Sequence, residues 1–365
     1  MNPESDAEVE PAGHIEAVDG DCCDDVCAII VTYNPEPRNF QALLHILLGQ
    51  VGRLVIVDNA SHADVRTWLP TAHSAKVDCI RNPLNQGIAT AQNAGLARAL
   101  AWKGCRYVLL SDQDSVPAPE MVIRLRSALQ KAEETLAGAA QAGMSQAGAI
   151  DAMHVAAVGP RSIDMRTGAD SFFVIDQGGW PERMLPPPSV LGNKTRSSTI
   201  EVSFLIASGS LVPVEVLRAL KGMRSNYFID HVDTEWCLRA RAAGLRLLAV
   251  PEAHLHHQLG DSVERIWFFG PRQVAYHTPL RDYYMFRNTL LMLRDVPMSL
   301  VWRIHFLLRL VKFAGYFLTL GDHRVQRMHH MWLGVRHGLR RVSGRLRPGT
   351  TACEALVANE LDPAV

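Results

Sequence analysis

The sequence has no net formal charge, because 37 Lys and Arg balance 37 Asp and Glu. That balance removes the global basic field expected of a protein whose main partner is nucleic acid. Seven cysteines in 365 residues are too few and too irregular for a disulfide framework, so scattered free thiols are expected. Cys22, Cys23 and Cys27 lie close together, but no second cysteine or histidine pair at ligand spacing accompanies them. No apolar run reaches the ~18 residues of a membrane span. The first residues also lack the basic start and apolar stretch of a secretory signal. Neither a GxGxxG fingerprint nor a GxxxxGK(S/T) loop occurs, which counts against a dinucleotide-binding fold and a P-loop site.

Apolar material is plentiful, at 48% of residues, enough for one sizeable core with an appendage. Val26–Thr32 (VCAIIVT) is a continuous, β-branched apolar run of the kind found in a parallel strand covered on both faces. Further strands are expected at Arg53–Asp58, Val77–Arg81, Arg106–Leu110, Val155–Val158, Glu201–Ala207 and Leu245–Val250. Helices are expected at Phe40–Leu48, Asp64–Leu69, Gly87–Ala101, Glu120–Leu136 and Thr234–Ala243. This alternation predicts an α/β domain with a mainly parallel sheet. Residues 137–152, rich in Ala and Gly, read as an exposed helix extension or an insert, and 181–198 as a long loop and candidate lid. Beyond about 265 a sheet is no longer evident, and Tyr283–Leu293 and Leu300–Leu320 read as helices.

Polar residues gather after the strand carboxyl ends, where such folds place their ligands. Thr32-Tyr33-Asn34 and Asp58-Asn59 end the first two strands, Asn85-Gln86-Gly87 precedes a helix, and Asp112-Gln113-Asp114 follows an apolar strand. Asp58 could accept from the N–H of a pyrimidine base, with Tyr33 against the ring. The carboxylates of Asp112 and Asp114 could hold a divalent cation against a diphosphate, or close a turn and cap the next helix. Asp233, with Glu235 two residues on, reads either as a helix cap or as a general base near an acceptor hydroxyl. Ser208-Gly209 follows a strand-like segment and reads as acceptor-side lining or as a turn. Among His254, His256 and His257, alternation along a strand does not select which one would join Asp114 as a ligand.

Taken in order, IVTYNP (30–35), VIVDNAS (55–61), NQGIATAQNAGL (85–96), LLSDQDS (109–115), SFLIASGSLVP (203–213), FIDHVDTEWCLRARAAG (228–244), HLHHQLGD (254–261) and YYMFRNTLLMLR (283–294) resemble glycosyltransferase family 2. The resemblance is to its bacterial rhamnosyltransferase-like branch and extends from 26 to about 340. It implies a GT-A fold with a C-terminal helical extension, and a direct displacement with inversion at the anomeric carbon. Thr32, Tyr33, Asn34, Asp58, Asn59, Asn85, Gly87, Asp112, Gln113 and Arg287 would bind the nucleotide sugar, Arg287 through phosphate or acceptor. Asp112 and Asp114 would form a DXD-like element for Mg2+ or Mn2+, with His256 or His257 contributing. Asp233 would be the base and Glu235 would assist it or hold position; the pair here reads Val-Asp where Glu-Asp or Asp-Asp is commoner. Ser208 and Gly209 would face the acceptor.

The expected organisation is a disordered acidic leader (1–25), a GT-A domain (26–265), a helical basic region (266–345) and a tail (346–365). The leader has nine acidic residues and no Lys or Arg, whereas 294–347 has eleven Lys or Arg against Asp295 and Asp322. The donor expected from the resemblance is dTDP-L-rhamnose, with UDP-galactofuranose, UDP-galactose or UDP-N-acetylglucosamine as alternatives; a non-catalytic glycan- or nucleotide-binding protein is the rival of a different class. The acceptor would be a cell-surface glycan or a polyprenyl-linked one, reached in the cytoplasm. The apolar helix Leu300–Leu320, punctuated by Arg303, Arg309 and Lys312, would pack inward, form a homodimer contact, or lie on an anionic membrane surface.

Overall fold

The computed structural model describes residues 22–141, 155–176, 178–187, 199–257, 262–267 and 271–346. In chain order the first elements are β1 (Cys23–Thr32), α1 (Pro37–Leu48), β2 (Val51–Asp58), β3 (Val77–Arg81), α2 (Ile88–Ala101), β4 (Tyr107–Asp112), β5 (Ser115–Pro117) and α3 (Met121–Gln141). The middle of the chain supplies β6 (Val155–Asp164), β7 (Phe173–Ile175), β8 (Glu182–Met184), β9 (Ile200–Val202), β10 (Leu211–Pro213), α4 (Val214–Ala219), α5 (Val232–Ala242) and β11 (Arg246–His257). A hairpin, β12 (Ser262–Trp267) and β13 (Pro271–Tyr276), precedes three helices: α6 (Pro279–Asp295), α7 (Leu300–Thr319) and α8 (Arg324–Leu339).

The strand β1 shows why the sheet is central. Cys27, Ile29 and Val31 enter one buried cluster while Val26, Ala28 and Ile30 enter another, so alternate side chains serve layers on opposite faces. The sheet order is β3-β2-β1-β4-β10-β6-β11-β5, with β9 also paired to β11. Strands β3, β2, β1 and β4 are mutually parallel, and β6 pairs β11 in parallel. The short β10 runs antiparallel between β4 and β6. Because all four strands of the first half point the same way, their carboxyl ends form a common rim.

Several boundaries depart from expectation. β1 starts at Cys23, whose N–H donates to the Gln50 carbonyl at 2.9 Å, and Arg126 pairs with Asp25 at 2.7 Å. The acidic leader therefore gives up its last residues to the sheet; residues 1–21 lie outside those described. The first helix begins at Pro37, where Glu36 caps the N–H groups of Arg38 and Asn39. Residues 137–141 continue α3, and the rest of the Ala/Gly segment lies outside the described residues. Of the candidate lid, 182–184 form β8, paired to β7, and 188–198 are likewise outside. The strand expected at Glu201–Ala207 shrinks to β9, and a strand pair, β12–β13, follows 261 where none was expected.

The C-terminal helices are not a separate layer. Leu291, Met292, Leu293, Val296, Trp302 and Phe306 share one buried cluster with the sheet residues Ile29, Val55 and Val108. Part of the basic composition is spent inside: Arg327 is buried, paired with Asp282 at 2.9 Å and Asp322 at 3.0 Å, and stacked over Phe317. The expected boundary at 346 also moves, since Leu346 is buried and its N–H donates to the Tyr284 hydroxyl at 2.9 Å. Among the described residues no helix is long and apolar enough to cross a membrane.

Candidate active site

The strand ends of β1, β2 and β4 are stitched together by their own polar side chains. Tyr33 N–H donates to Gln113 Oε1 at 2.7 Å, and Gln113 Nε2 returns a bond to the Tyr33 carbonyl at 3.2 Å. Asn34, in the left-handed region at φ 49°, donates its N–H to Ser61 and accepts from His62 N–H. Asp58 is fully buried: Oδ1 accepts from Thr32 Oγ1 and Ser61 N–H, while Oδ2 faces Arg81 at 3.4 Å. Asn59 Oδ1 accepts from Asn82 and from the Gln86 N–H, and its amide donates to Asn85 Oδ1 at 2.9 Å. This network orders Gly87, whose N–H also reaches Asn85. Gly87 adopts φ 84° and ψ 161°, a region essentially restricted to glycine, and a Cβ there would sit 2.5 Å from the Phe228 carbonyl oxygen.

Phe228 brings the second half of the site against the first. Residues 226–231 form a turn with three positive φ values, at Phe228, Asp230 and His231. Its exposed carbonyls are collected by α6. Arg287 donates to the carbonyls of Tyr227 at 2.8 Å and Gly344 at 2.5 Å, and Asn288 Nδ2 donates to those of Tyr227, Ile229 and Asp230. Arg287 is fully buried and lies over the rings of Tyr283 and Tyr284. The expected contact of Arg287 with phosphate or acceptor is thus corrected: its fork is filled by backbone, and it braces the turn that leads into α5.

That turn sets up Asp233. The helix cap is His231, so Asp233 lies within the first turn of α5 and does not cap it. Its carboxylate accepts from Thr234 N–H at 2.7 Å and from the Ala207 backbone. Burial pushes the Asp233 carboxyl above the usual carboxylate range. Glu235, two residues on, points elsewhere. It is fully buried and engaged by Arg239 at 2.9 and 3.0 Å and by Arg224 at 2.8 Å. Both of its oxygens are committed to guanidinium groups, so its place is to hold α5, and the assisting role is withdrawn.

Asp112, Asp114 and His257 form a cluster in which one ligand atom from each lies within 4.8 Å of the others. Burial raises the Asp112 carboxyl, with Asp114 and Asp233 adding to the effect and His257 and Arg281 opposing it. His257 arrives because β11 breaks register between Val250 and His254, which re-aims its last residues onto β5, pairing His257 with Ser115. His256 faces the other way, with His254, and is corrected out of the cluster. A serine relay lies behind the three. Asp112 N–H donates to Ser208 Oγ at 3.1 Å, Ser208 shares a 2.7 Å bond with Ser115, and Ser115 another with His257 Nδ1. Ser208 is therefore buried behind the cluster and does not line an acceptor surface. Gly209 (φ 81°) packs where a Cβ would meet Pro160 Cγ at 2.5 Å, so its role too is close approach.

Two groups near the site had no signal in the sequence. Ser115 completes the relay from a three-residue strand too short to detect by pattern. Arg281, paired with Asp230 at 2.5 Å, adds a positive charge that Asp112 senses. The cluster suits a hard divalent cation, since two carboxylate oxygens and one imidazole nitrogen are the donor set that Mg2+ and Mn2+ accept.

A buried strand-end network, an Asp-x-Asp cluster with a histidine, and a carboxylate on a facing helix define a transferase of activated sugars built on a GT-A fold. Residues 27–180 match Glycosyl transferase family 2, and the chain is a glycosyltransferase similar over most of its length to a rhamnosyl transferase. It is 28% identical over 322 residues to the dTDP-rhamnosyl transferase RfbF of Shigella flexneri, covering 87% of this chain and 97% of that protein. Its fold is similar to that of S. aureus TarS 1-349, solved in complex with UDP-GlcNAc, at a TM-score of 0.50 and 13% identity, over 87% of this chain and 81% of that one.

Proposed function

We propose that this glycosyltransferase moves L-rhamnose from dTDP-L-rhamnose onto a hydroxyl of a cell-surface glycan or its lipid-linked precursor, with inversion. The observation that carries the reaction is the approach of Asp233 to the Asp112–Asp114–His257 cluster from a different element, α5. The donor follows from the likeness to RfbF over nearly all of that protein's length.

The diphosphate lies against Asp112, Asp114 and His257, the residues that would hold Mg2+ or Mn2+; that ion, when bound, neutralises charge developing on the leaving group. The nucleoside occupies the rim built by Thr32, Tyr33, Asn34, Asp58, Asn59, Asn85, Gly87 and Gln113. Asp233 takes the proton of the acceptor hydroxyl as its oxygen bonds to the anomeric carbon. The bond to the nucleoside diphosphate breaks on the opposite face, so one base suffices and no sugar–enzyme bond forms. A carboxyl raised by burial is a better proton acceptor near neutral pH than an exposed one.

The apolar residues that α7 leaves exposed, Leu300, Ile304, Leu307, Leu308 and Val311, support peripheral attachment to the cytoplasmic face of a membrane, where lipid-linked acceptors reside. The deciding experiment is a sugar-nucleotide screen of the full chain with and without Mg2+ or Mn2+. dTDP-rhamnose should be turned over, and Asp233→Asn should bind dTDP normally while losing transfer. Turnover of a UDP-sugar alone would reassign the donor, and no binding of any sugar nucleotide would refute the reading.

A further inference from the structure

α7 has a third face, neither buried nor apolar. At helical spacing His305, Arg309 and Lys312 fall on one side, next to the inward-facing Trp302 and Phe306. Phe306 meets the His231 ring edge-on at 6.2 Å, two residues before Asp233, so this side is carried to the catalytic turn. His305 is fixed between Trp180, 5.3 Å away, and Trp302, 5.6 Å away, and its Nδ1 is buried without a hydrogen-bond partner. Among the described residues Arg309 has no hydrogen-bond or ion-pair partner. It keeps solvent contact yet is packed closely enough that burial lowers its pKa; Arg183 adds to this, and Asp230 and Asp233 oppose it. Arg183 comes from β8 and stacks on Phe172 at 5.5 Å.

Other arginines around the site are spoken for: Arg224 and Arg239 by Glu235, Arg281 by Asp230, and Arg287 by backbone. A guanidinium left unpaired near Arg183 and Lys312 is a local excess of positive charge, and burial together with these cations holds the half-buried His305 ring neutral, its Nδ1 left for a hydrogen bond. Such an arrangement suits an incoming anion, which a guanidinium receives through two parallel hydrogen bonds. We propose that Arg309, supported by Arg183, His305 and Lys312, is an anion subsite on the acceptor side of Asp233 that takes a phosphate group of the acceptor. The proposal rests on the transferase reading above. Two sources carry that chemistry, the acceptor and the donor diphosphate. The acceptor is favoured because the donor diphosphate is assigned to Asp112, Asp114 and His257.

Two measurements test it. In metal-free buffer, inorganic pyrophosphate is titrated against the full chain while the fluorescence of Trp180 and Trp302, the neighbours of His305, is followed. Pyrophosphate should bind, and Arg309→Ala should weaken it by about tenfold or more, with Arg309→Lys intermediate. No binding to the wild type, or equal binding to the variant, overturns the subsite whatever the transfer assays show. In the second, transfer is compared on two acceptors with the same terminal sugar, one on a lipid diphosphate and one on an uncharged alkyl glycoside. Arg309→Ala should reduce the preference for the charged acceptor by about tenfold. Equal losses on both acceptors would make Arg309 a structural residue. A raised Kd for dTDP would hand it to the donor. Failure of the wild type to use any sugar nucleotide would refute the transferase reading, while the pyrophosphate titration still decides the subsite.

Discussion

Arg287→Met separates two roles for a residue that sequence and structure place differently. The substitution keeps the volume and removes the fork that donates to the Tyr227 and Gly344 carbonyls and to Asn288 Oδ1. The Tyr227 carbonyl retains its bond from Asn288 Nδ2, so the Gly344 oxygen is the acceptor most exposed to loss. Each charge-assisted bond contributes about 1.5–3 kcal/mol, and relief from burying the guanidinium offsets part of the gross loss. A net cost of about 2–3 kcal/mol remains, lowering the melting temperature by roughly 3–4 °C in a chain of this size. Arg287→Lys should not rescue, because an ammonium cannot span acceptors arranged for a planar fork. Thermal unfolding and dTDP titration are run side by side, the latter well below the transition. The expected result is a lowered Tm with dTDP affinity within about threefold of wild type. An unchanged Tm with dTDP affinity lost would put Arg287 on the donor and refute the bracing role.

Gly87→Ala forces a Cβ to within 2.5 Å of the Phe228 carbonyl oxygen at φ 84°, and should cost about 3 kcal/mol or more in denaturant unfolding; an unchanged midpoint would deny the close approach. Glu235→Gln leaves Arg224 and Arg239 facing a neutral amide in a buried site, with an expected loss of about 3 kcal/mol and kcat retained below the transition; a fall in kcat at unchanged Tm would restore the assisting role. Burial brings the His231 pKa down to about 4, with Arg309 lowering it further and Asp230 opposing. As pH falls below the imidazole's ordinary 6.5, the unfolded chain takes up this proton first. Its contribution to stability is therefore complete above 6.5 and declines down to about 4. His231→Asn should flatten that part of the stability profile, and an identical slope in the variant would refute it.

The part of the fold that was legible is the part governed by short-range pattern. The apolar run VCAIIVT alternates between two cores, and its ending at Tyr33-Asn34-Pro35 marks the rim; both follow from local rules. The same rules place Asp58 and Asp112 at strand ends. What they could not supply is who fills each side chain's bonds. Arg287 and Glu235 sit in stretches that look catalytic, yet their partners come from Gly344 and Arg224, which sequence spacing does not connect to them. His257 was not separable from His256 because the choice depends on a register break inside β11. The helix α8 escaped notice for a related reason. α8 buries Arg327 and His330 where a periodic apolar stripe would be expected.

The placement of β10 has a consequence for how the chain is made. Only three residues long, Leu211–Pro213 is wedged between β4 and β6, strands finished at residues 112 and 164. During synthesis β3-β2-β1-β4 can assemble from local βα units, but β4 and β6 must wait with open edges until the ribosome has delivered residue 213. A fragment cut at residue 180, where the family match stops, would end with that seam unfilled. Its exposed edges would invite pairing with other chains, so the recognisable portion of this protein should express as aggregate unless the later strand is supplied.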